Sequence, residues 1–344
     1  MDSQRIDLST LYNLKNAVDS ITIDQRNAVN VQQVLIENGY YPLTYLHEAI
    51  ALPEPKNQAD ILKRLSVPDA SISSESFADK EFKMLRYMCE RDQINDVIRM
   101  IEGAGVLGDQ ECKCEGLQLT NLRRLANDIP LPQAGPDRFY GASQHQLKNQ
   151  GIRTELDDLI NPSREEENVP ILPNFFLGAK RASTNYEKAR AEAWYFGLLG
   201  ARGMHSLQTY GQEKTYDNNA YTITCLYQTG TLKMFTVHLV PPDSPEDPPK
   251  YAMHYLDAWS LTGNVENCRQ ALTAYGNARG LAEEWRTKLI DHANGKIKSS
   301  IPTTESDDRL AGGVTTKVHT GTSKRRSQKG QTLSRPSKRP KVQD

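Results

Sequence analysis

Nothing in this chain restricts its fold more than the stretch from Pro173 to Gln208, PNFFLGAKRASTNYEKARAEAWYFGLLGARGMHSLQ. The apolar run Phe175-Phe176-Leu177, bounded by Pro173 and Gly178, predicts a buried strand whose last residue is a lysine, Lys180. After a polar turn from Arg181 to Asn185 the period becomes helical. Ala189, Ala193, Phe196 and Gly200 then recur at three- and four-residue spacings, a face suited to lying against a sheet.

The rest of the chain supplies elements that can surround such a centre. The first 70 residues read as short helices broken by prolines: Asn30 to Asn38 stopped by Gly39, Leu43 to Leu52 stopped by Pro53-Glu54-Pro55, and Gln58 to Leu65. Val67 to Ser76 has linker composition. Lys80 to Gly103 predicts one long helix with Phe82, Leu85, Met88, Cys89, Ile94, Val97, Ile98 and Ile101 on its apolar face. Leu117 to Ala126 predicts a further short helix, Pro130 to Gly141 is turn-rich and contains Pro136-Asp137, and Ile152 to Ile160 is amphipathic. Ala220 to Tyr227 and Thr231 to Leu239 alternate and flank Gln228-Thr229-Gly230, which together predict a hairpin. A proline-rich loop from Pro241 to Lys250 leads to a strand at Tyr251 to Trp259, then to a long helix at Asn264 to Ala293. The expected fold class is α/β, in the α+β sense of a mixed β-sheet with flanking helices. It divides into a helical N-terminal region (1–70), a sheet domain (77–295) and a tail (296–344).

Charge separates the tail from the body. The net charge of the 344 residues is -1. From Gly313 to Asp344 there are nine Lys and Arg against one acid, a charge of +8, which leaves -9 on the remainder. An acidic body argues against tight, charge-driven gripping of DNA by the folded part. From about Lys296 the chain is rich in Ser, Thr, Gly, Lys and Arg and lacks aromatic residues, so disorder is expected there. Within it, Lys324-Arg325-Arg326 and Lys338-Arg339-Pro340-Lys341 have the form of a bipartite nuclear-import signal; an import receptor is the partner this implies, and the nucleus the location. No apolar run approaches the roughly 18 residues of a membrane span, and no membrane partner is expected. The N-terminus lacks the apolar segment of a secretory signal. Five scattered cysteines suit free thiols in a reducing compartment, and Cys112-Lys113-Cys114 is too short and solitary for a zinc site.

Three blocks carry a resemblance: PNFFLGAK, GARGMHSLQTYG and YDNNAYT. Together they resemble a fungal domain-of-unknown-function family whose members read PNFFLEAKGP, GALGARGMHSLQSYG and YDGNAYT; the similarity extends over roughly Pro136 to Asn294. That family in turn is similar to the PD-(D/E)xK phosphodiesterase superfamily, with the fold of restriction endonucleases. A strand ending on lysine, followed by a packed helix, is the central piece of many metal-dependent nucleases. By this resemblance Pro136-Asp137 matches the Pro-Asp of the pattern, Gly178-Ala179-Lys180 matches acid-x-Lys, and Glu192 stands where the family has a helical Gln. The cofactor implied is Mg²⁺ and the partner implied is DNA. Arg202 and His205, in the GARGMHSLQ block, are candidates for phosphate contact; capping the helix is the competing role.

The residue types have a chemical reason. Phosphodiester hydrolysis needs a divalent cation that neutralises the phosphoryl oxygens and acidifies the attacking water, and a lysine that orients the nucleophile or stabilises developing charge. Asp137 and Lys180 fit two of these roles, whereas Gly178 leaves the place of the second carboxylate without a side chain. The leading expectation is therefore a nuclear, nuclease-like domain with impaired catalysis that acts in binding or scaffolding. The first alternative is an active Mg-dependent DNA endonuclease in which Glu192 serves as relocated ligand, with Glu187 a further acid on the same helix. The second is a nuclear interaction protein whose N-terminal helices carry the function. His238 and His254, each in a strand, are expected to be interior histidines.

Overall fold

The computed structural model describes residues 33, 35–42, 52–68, 75–103, 111–125, 135–166, 168–244 and 246–299. In chain order its elements are β1 (Tyr40–Tyr41), α1 (Gln58–Leu65), α2 (Glu75–Glu90), α3 (Ile94–Glu102), β2 (Glu111–Glu115) and β3 (Arg138–Ala142). Then follow α4 (Gln150–Glu155), α5 (Asp157–Ile160), β4 (Ile171–Lys180), α6 (Tyr186–Gln208), β5 (Thr222–Gln228), β6 (Thr231–Val240), β7 (Lys250–Ser260) and α7 (Val265–Ser299). The fold is α+β: one mixed seven-stranded sheet in the order β1-β7-β6-β5-β4-β3-β2, flanked by helices.

β4 is the pivot. It pairs antiparallel with β3 on one side and parallel with β5 on the other. A parallel pair needs a crossover, and α6 supplies it. Side chains alternate along β4, so Phe175, Leu177 and Ala179 join one apolar core and Phe176 joins the other. The first core packs beneath α1, α2, α3 and α7 through Ile61, Leu65, Leu85, Val97, Ile98, Leu272, Tyr275 and Ala278. The second lies under α6, through Ala189, Ala193, Phe196 and their neighbours.

Glycines set how closely α6 approaches the sheet. A Cβ on Gly200 would lie 2.8 Å from Phe176 Cε2 and 2.9 Å from the Pro173 carbonyl oxygen, and one on Gly197 would lie 2.5 Å from Val237 Cγ2. Close packing at these positions excludes any side chain larger than hydrogen without a shift.

The hairpin β5–β6 forms where the alternation predicts it, closed by Thr229 (φ 50°) and Gly230 (φ 72°). Both central residues have positive φ, as the tight two-residue turns favoured between twisted strands require. The strand expected at Tyr251 to Trp259 is β7, and the helix expected at Asn264 to Ala293 is α7, which continues to Ser299. β1 and α1, from the N-terminal region, add to the sheet edge and to the core.

Other expectations require correction. Lys80 to Gly103 is two helices, because the chain turns at Arg91-Asp92-Gln93 with Asp92 at φ 54°. Aspartate is among the few residues that tolerate this conformation, since its short polar side chain can bond locally. Leu117–Leu125 is not helical. Its backbone is held by partners distant in sequence: Arg123 N–H donates to Asp158 O (2.7 Å) and Asn121 N–H donates to Pro162 O (3.0 Å), while the Asn121 side-chain amide donates to Asn161 O (2.8 Å). Ile152 to Ile160 is split between α4 and α5 at Leu156. Cys112 and Cys114 lie in β2, an edge strand that the sequence did not suggest. The helix expected at Leu43 to Leu52, the tail and both import-signal clusters lie outside the described residues, save for Leu52 itself and residues 296–299, the last turn of α7. Among the described residues no helix is long and apolar enough to cross a membrane.

Candidate active site

The site lies where β4 ends and α6 covers it. β3 begins with Arg138 opposite Leu177, so the residue before it, Asp137, is carried alongside the last turn of the β4 ladder. Its carboxylate takes over from a strand carbonyl: Asp137 Oδ2 accepts the backbone N–H of Ala179 at 2.8 Å. Lys180 is the last residue of β4 and lies on the same face as Phe176 and Gly178, the face covered by α6. Asn185 caps α6, accepting Lys188 N–H at 3.0 Å, and thereby fixes where the helix begins. Glu192 then falls one turn from both Ala189 and Phe196, beside the stripe that faces the sheet.

These three side chains meet. Lys180 Nζ lies 2.8 Å from Glu192 Oε2 and 3.9 Å from Asp137 Oδ2. The lysine and the glutamate are about one-fifth exposed and the aspartate about a third. The ammonium is thus a compact cation held between two carboxylates from different elements. Gly178 adjoins this point: a Cβ built on it would make ordinary contacts, 3.8 Å from Lys180 Cε and 4.0 Å from Leu226 Cδ1, and its φ is not positive. Neither packing nor backbone conformation requires glycine there.

The donor set suits a small hard cation. Two carboxylates with room for solvent are what Mg²⁺ commonly takes from a protein, the remaining positions being water and substrate oxygen. Among the described residues no group of three or more His, Cys, Asp or Glu forms a metal site, so a cation here would rest on Asp137 and Glu192 alone.

The other candidates lie elsewhere. Glu187 pairs with Arg190 and is mostly exposed. Arg202 is ten residues beyond Glu192 on α6, about 15 Å along the axis. Its guanidinium donates to the backbone carbonyls of Arg123 and Arg124, holding the 117–125 segment. His205 contacts Thr215 O at 3.1 Å and stacks on Tyr216 at 5.1 Å, and burial holds its basicity below the usual histidine range. His238 is buried, and His254 lies 5.2 Å from it.

Two supporting groups were not foreseen. Glu102, at the end of α3, binds Arg138 (3.2 Å), Lys113 (3.4 Å) and the Tyr140 hydroxyl (2.6 Å), anchoring the strand that presents Asp137. Burial and that bond push the Tyr140 phenol well above its ordinary value. Asn174, wholly buried, donates to Tyr221 O and Ala282 O, each at 2.9 Å, and accepts from Arg286, tying the start of β4 to β5 and α7. The one signal in the sequence was an asparagine inside the apolar run PNFF. Comparison with protein-family models, curated proteins and solved structures finds no match to this chain.

Proposed function

We propose that the chain is a nuclear, PD-(D/E)xK-like phosphodiesterase in which Glu192 replaces the acid absent at position 178, with DNA as substrate. The observation that carries the reading is the convergence of Asp137, Lys180 and Glu192, from the residue preceding β3, the end of β4 and α6. Adjacent strands bearing an aspartate and a lysine, followed by a packed helix, are the pieces this chemistry uses. Location in the nucleus rests on Lys324-Arg325-Arg326 and Lys338-Arg339-Pro340-Lys341.

Asp137 and Glu192 would hold the divalent cation. When bound, such a cation neutralises phosphoryl oxygens and makes water more acidic. The Ala179 N–H fixes the orientation of the Asp137 carboxylate beforehand, so little reorganisation is needed. Lys180, with three N–H donors, orients the attacking water or stabilises charge on the departing oxygen. Its bond to Glu192 keeps the ammonium in place before substrate arrives.

A second reading, a catalytically impaired domain that binds or scaffolds, is favoured by one observation: the Lys180 ammonium already stands between the two carboxylates, where a cation would bind. Mg²⁺ or Mn²⁺ titration of the full-length protein, with plasmid nicking, separates the two. The first reading expects metal binding and nicking, both lost in Asp137→Asn and Glu192→Gln, and nicking reduced at least a hundredfold in Lys180→Met. A natural sequence that does neither, while Gly178→Glu acquires metal binding, would establish the second.

A further inference from the structure

Next to the three-residue site lies a cleft of about 280 Å³ lined by Tyr186, Leu226, Gln228, Thr229, Thr231 and Lys233. The two are contiguous. Leu226, the register partner of Gly178, lines the cleft and reaches to 4.0 Å of the place where a Cβ at 178 would stand. Gln228 is the register partner of Lys180. Lys233 stands out in this cleft: its Nζ bonds the Tyr186 hydroxyl at 2.9 Å, lies 4.2 Å from the centre of that ring, and has no carboxylate within ion-pair distance among the described residues. A tyrosine oxygen occupies one of its three N–H donors, which leaves two for the cleft. Thr229 and Thr231 add hydroxyls. The acid beside this group, Glu187, is engaged by Arg190. One strand further, on the same sheet face, Tyr255 packs edge-on against Phe235 (5.8 Å) and leaves 41% of its surface exposed.

We infer that the Lys233–Tyr186 cleft binds a phosphate of a single-stranded DNA segment flanking the one at Asp137 and Glu192, and that Tyr255 stacks a base of the same strand. The inference rests on the reading of the site as a phosphodiesterase. Cleft and tyrosine follow an oblique line over this sheet face: Lys233 is level with Gly178, two strands over, and Tyr255 is level with Phe176, three strands over. With strands about 4.8 Å apart and about 3.4 Å per residue, Lys233 stands roughly 12 Å from Lys180 and Tyr255 roughly 20 Å. An ammonium placed for a phosphate and an exposed ring placed for a base are the two parts by which single strands are bound without reading sequence.

The test uses a short labelled oligothymidine and fluorescence anisotropy in EDTA. The protein is the full-length chain with the basic residues of both tail clusters replaced by glutamine, so that the body alone reads out. Lys233→Gln should weaken binding several-fold and lower the slope of log affinity against log salt by about 0.7, the loss of one phosphate contact. Tyr255→Ala should weaken it about five- to hundredfold with the salt slope unchanged. If neither Lys233→Gln nor Tyr255→Ala alters binding while circular dichroism shows both folded, the inference is overturned whether or not the protein nicks DNA. If both weaken binding in a protein that never nicks, the strand site stands and the phosphodiesterase reading falls. Displacement of the oligonucleotide by millimolar inorganic phosphate at constant ionic strength would mark a free-anion site and also overturn the inference.

Discussion

The same substitution, glycine to alanine in a helix, should change stability in opposite directions at Gly200 and Gly280. Alanine is the better helix former by about 0.8–1.0 kcal/mol, an advantage both positions offer. At Gly280, in α7, an added Cβ meets no heavy atom within 4 Å, so the propensity gain is kept. At Gly200 the Cβ would stand 2.8 Å from Phe176 Cε2, 2.9 Å from the Pro173 carbonyl oxygen and 3.0 Å from Thr222 Cγ2. One of these neighbours is backbone, in a strand paired on both sides, and cannot swing away. Overpacking of this kind costs about 1–3 kcal/mol, which exceeds the gain. Gly200→Ala should therefore lose up to about 2 kcal/mol and Gly280→Ala gain about 0.8–1.0 kcal/mol, a separation of about 1–3 kcal/mol, the overpacking cost itself. Urea denaturation followed by circular dichroism measures both, the sign being read from the midpoint at unchanged slope. Two variants that shift in the same direction would refute the claim that the height of α6 above the sheet is set by hydrogen-sized positions. Glu192 lies eight residues from Gly200, about 12 Å along the helix, so lifting α6 should also weaken metal binding in Gly200→Ala.

Asn174→Leu should cost about 3–5 kcal/mol by denaturation, since it strips the Tyr221 and Ala282 carbonyls of a donor and Arg286 of an acceptor, each worth about 1–3 kcal/mol when buried. His238 is held down to about 4 by burial and by the neighbouring His254, with Asp217 opposing. Its folded value lies below its unfolded one near 6.5, so the unfolded chain binds more protons between the two; stability is full above about 6.5 and is lost as pH falls toward 4, by roughly 3 kcal/mol at most. His238→Phe should flatten that loss in acid titrations followed by fluorescence. Gly178→Glu should leave the fold intact and tighten Mn²⁺ binding at least tenfold in calorimetry, because a third carboxylate would enter beside Lys180.

Periodicity made the centre of the molecule legible. Phe175 to Leu177, the stripe at Ala189, Ala193 and Phe196, and the alternating arms of the hairpin each bury a side chosen by local pattern. They fold as read because local and tertiary preference agree. The segment at Leu117–Leu125 misled for the opposite reason. Its leucines have helical spacing, but Asn121, Arg123 and Arg202 give its backbone partners from elsewhere in the chain. Asp137 and Lys180 were marked by the resemblance, and Glu192 only as a substitute; that the three meet depends on the closeness of α6 to β4, which spacing alone does not state. Glu102 and Arg286 carried no local signal at all. The bonds of Glu102 to Arg138 and Tyr140, and of Arg286 to Asn174, span more than 30 residues of sequence.

The room beside Gly178 has a consequence for how this site can change over time. Glycine and both acidic residues share the first base of their codons and differ at the second, so one point mutation places a carboxylate at this position. The backbone there is ordinary and the contacts of a Cβ are unstrained, so neither the chain conformation nor the first side-chain atom stands against such a mutant. The site with two carboxylates and a site with three are thus neighbours in mutational space, a single base apart.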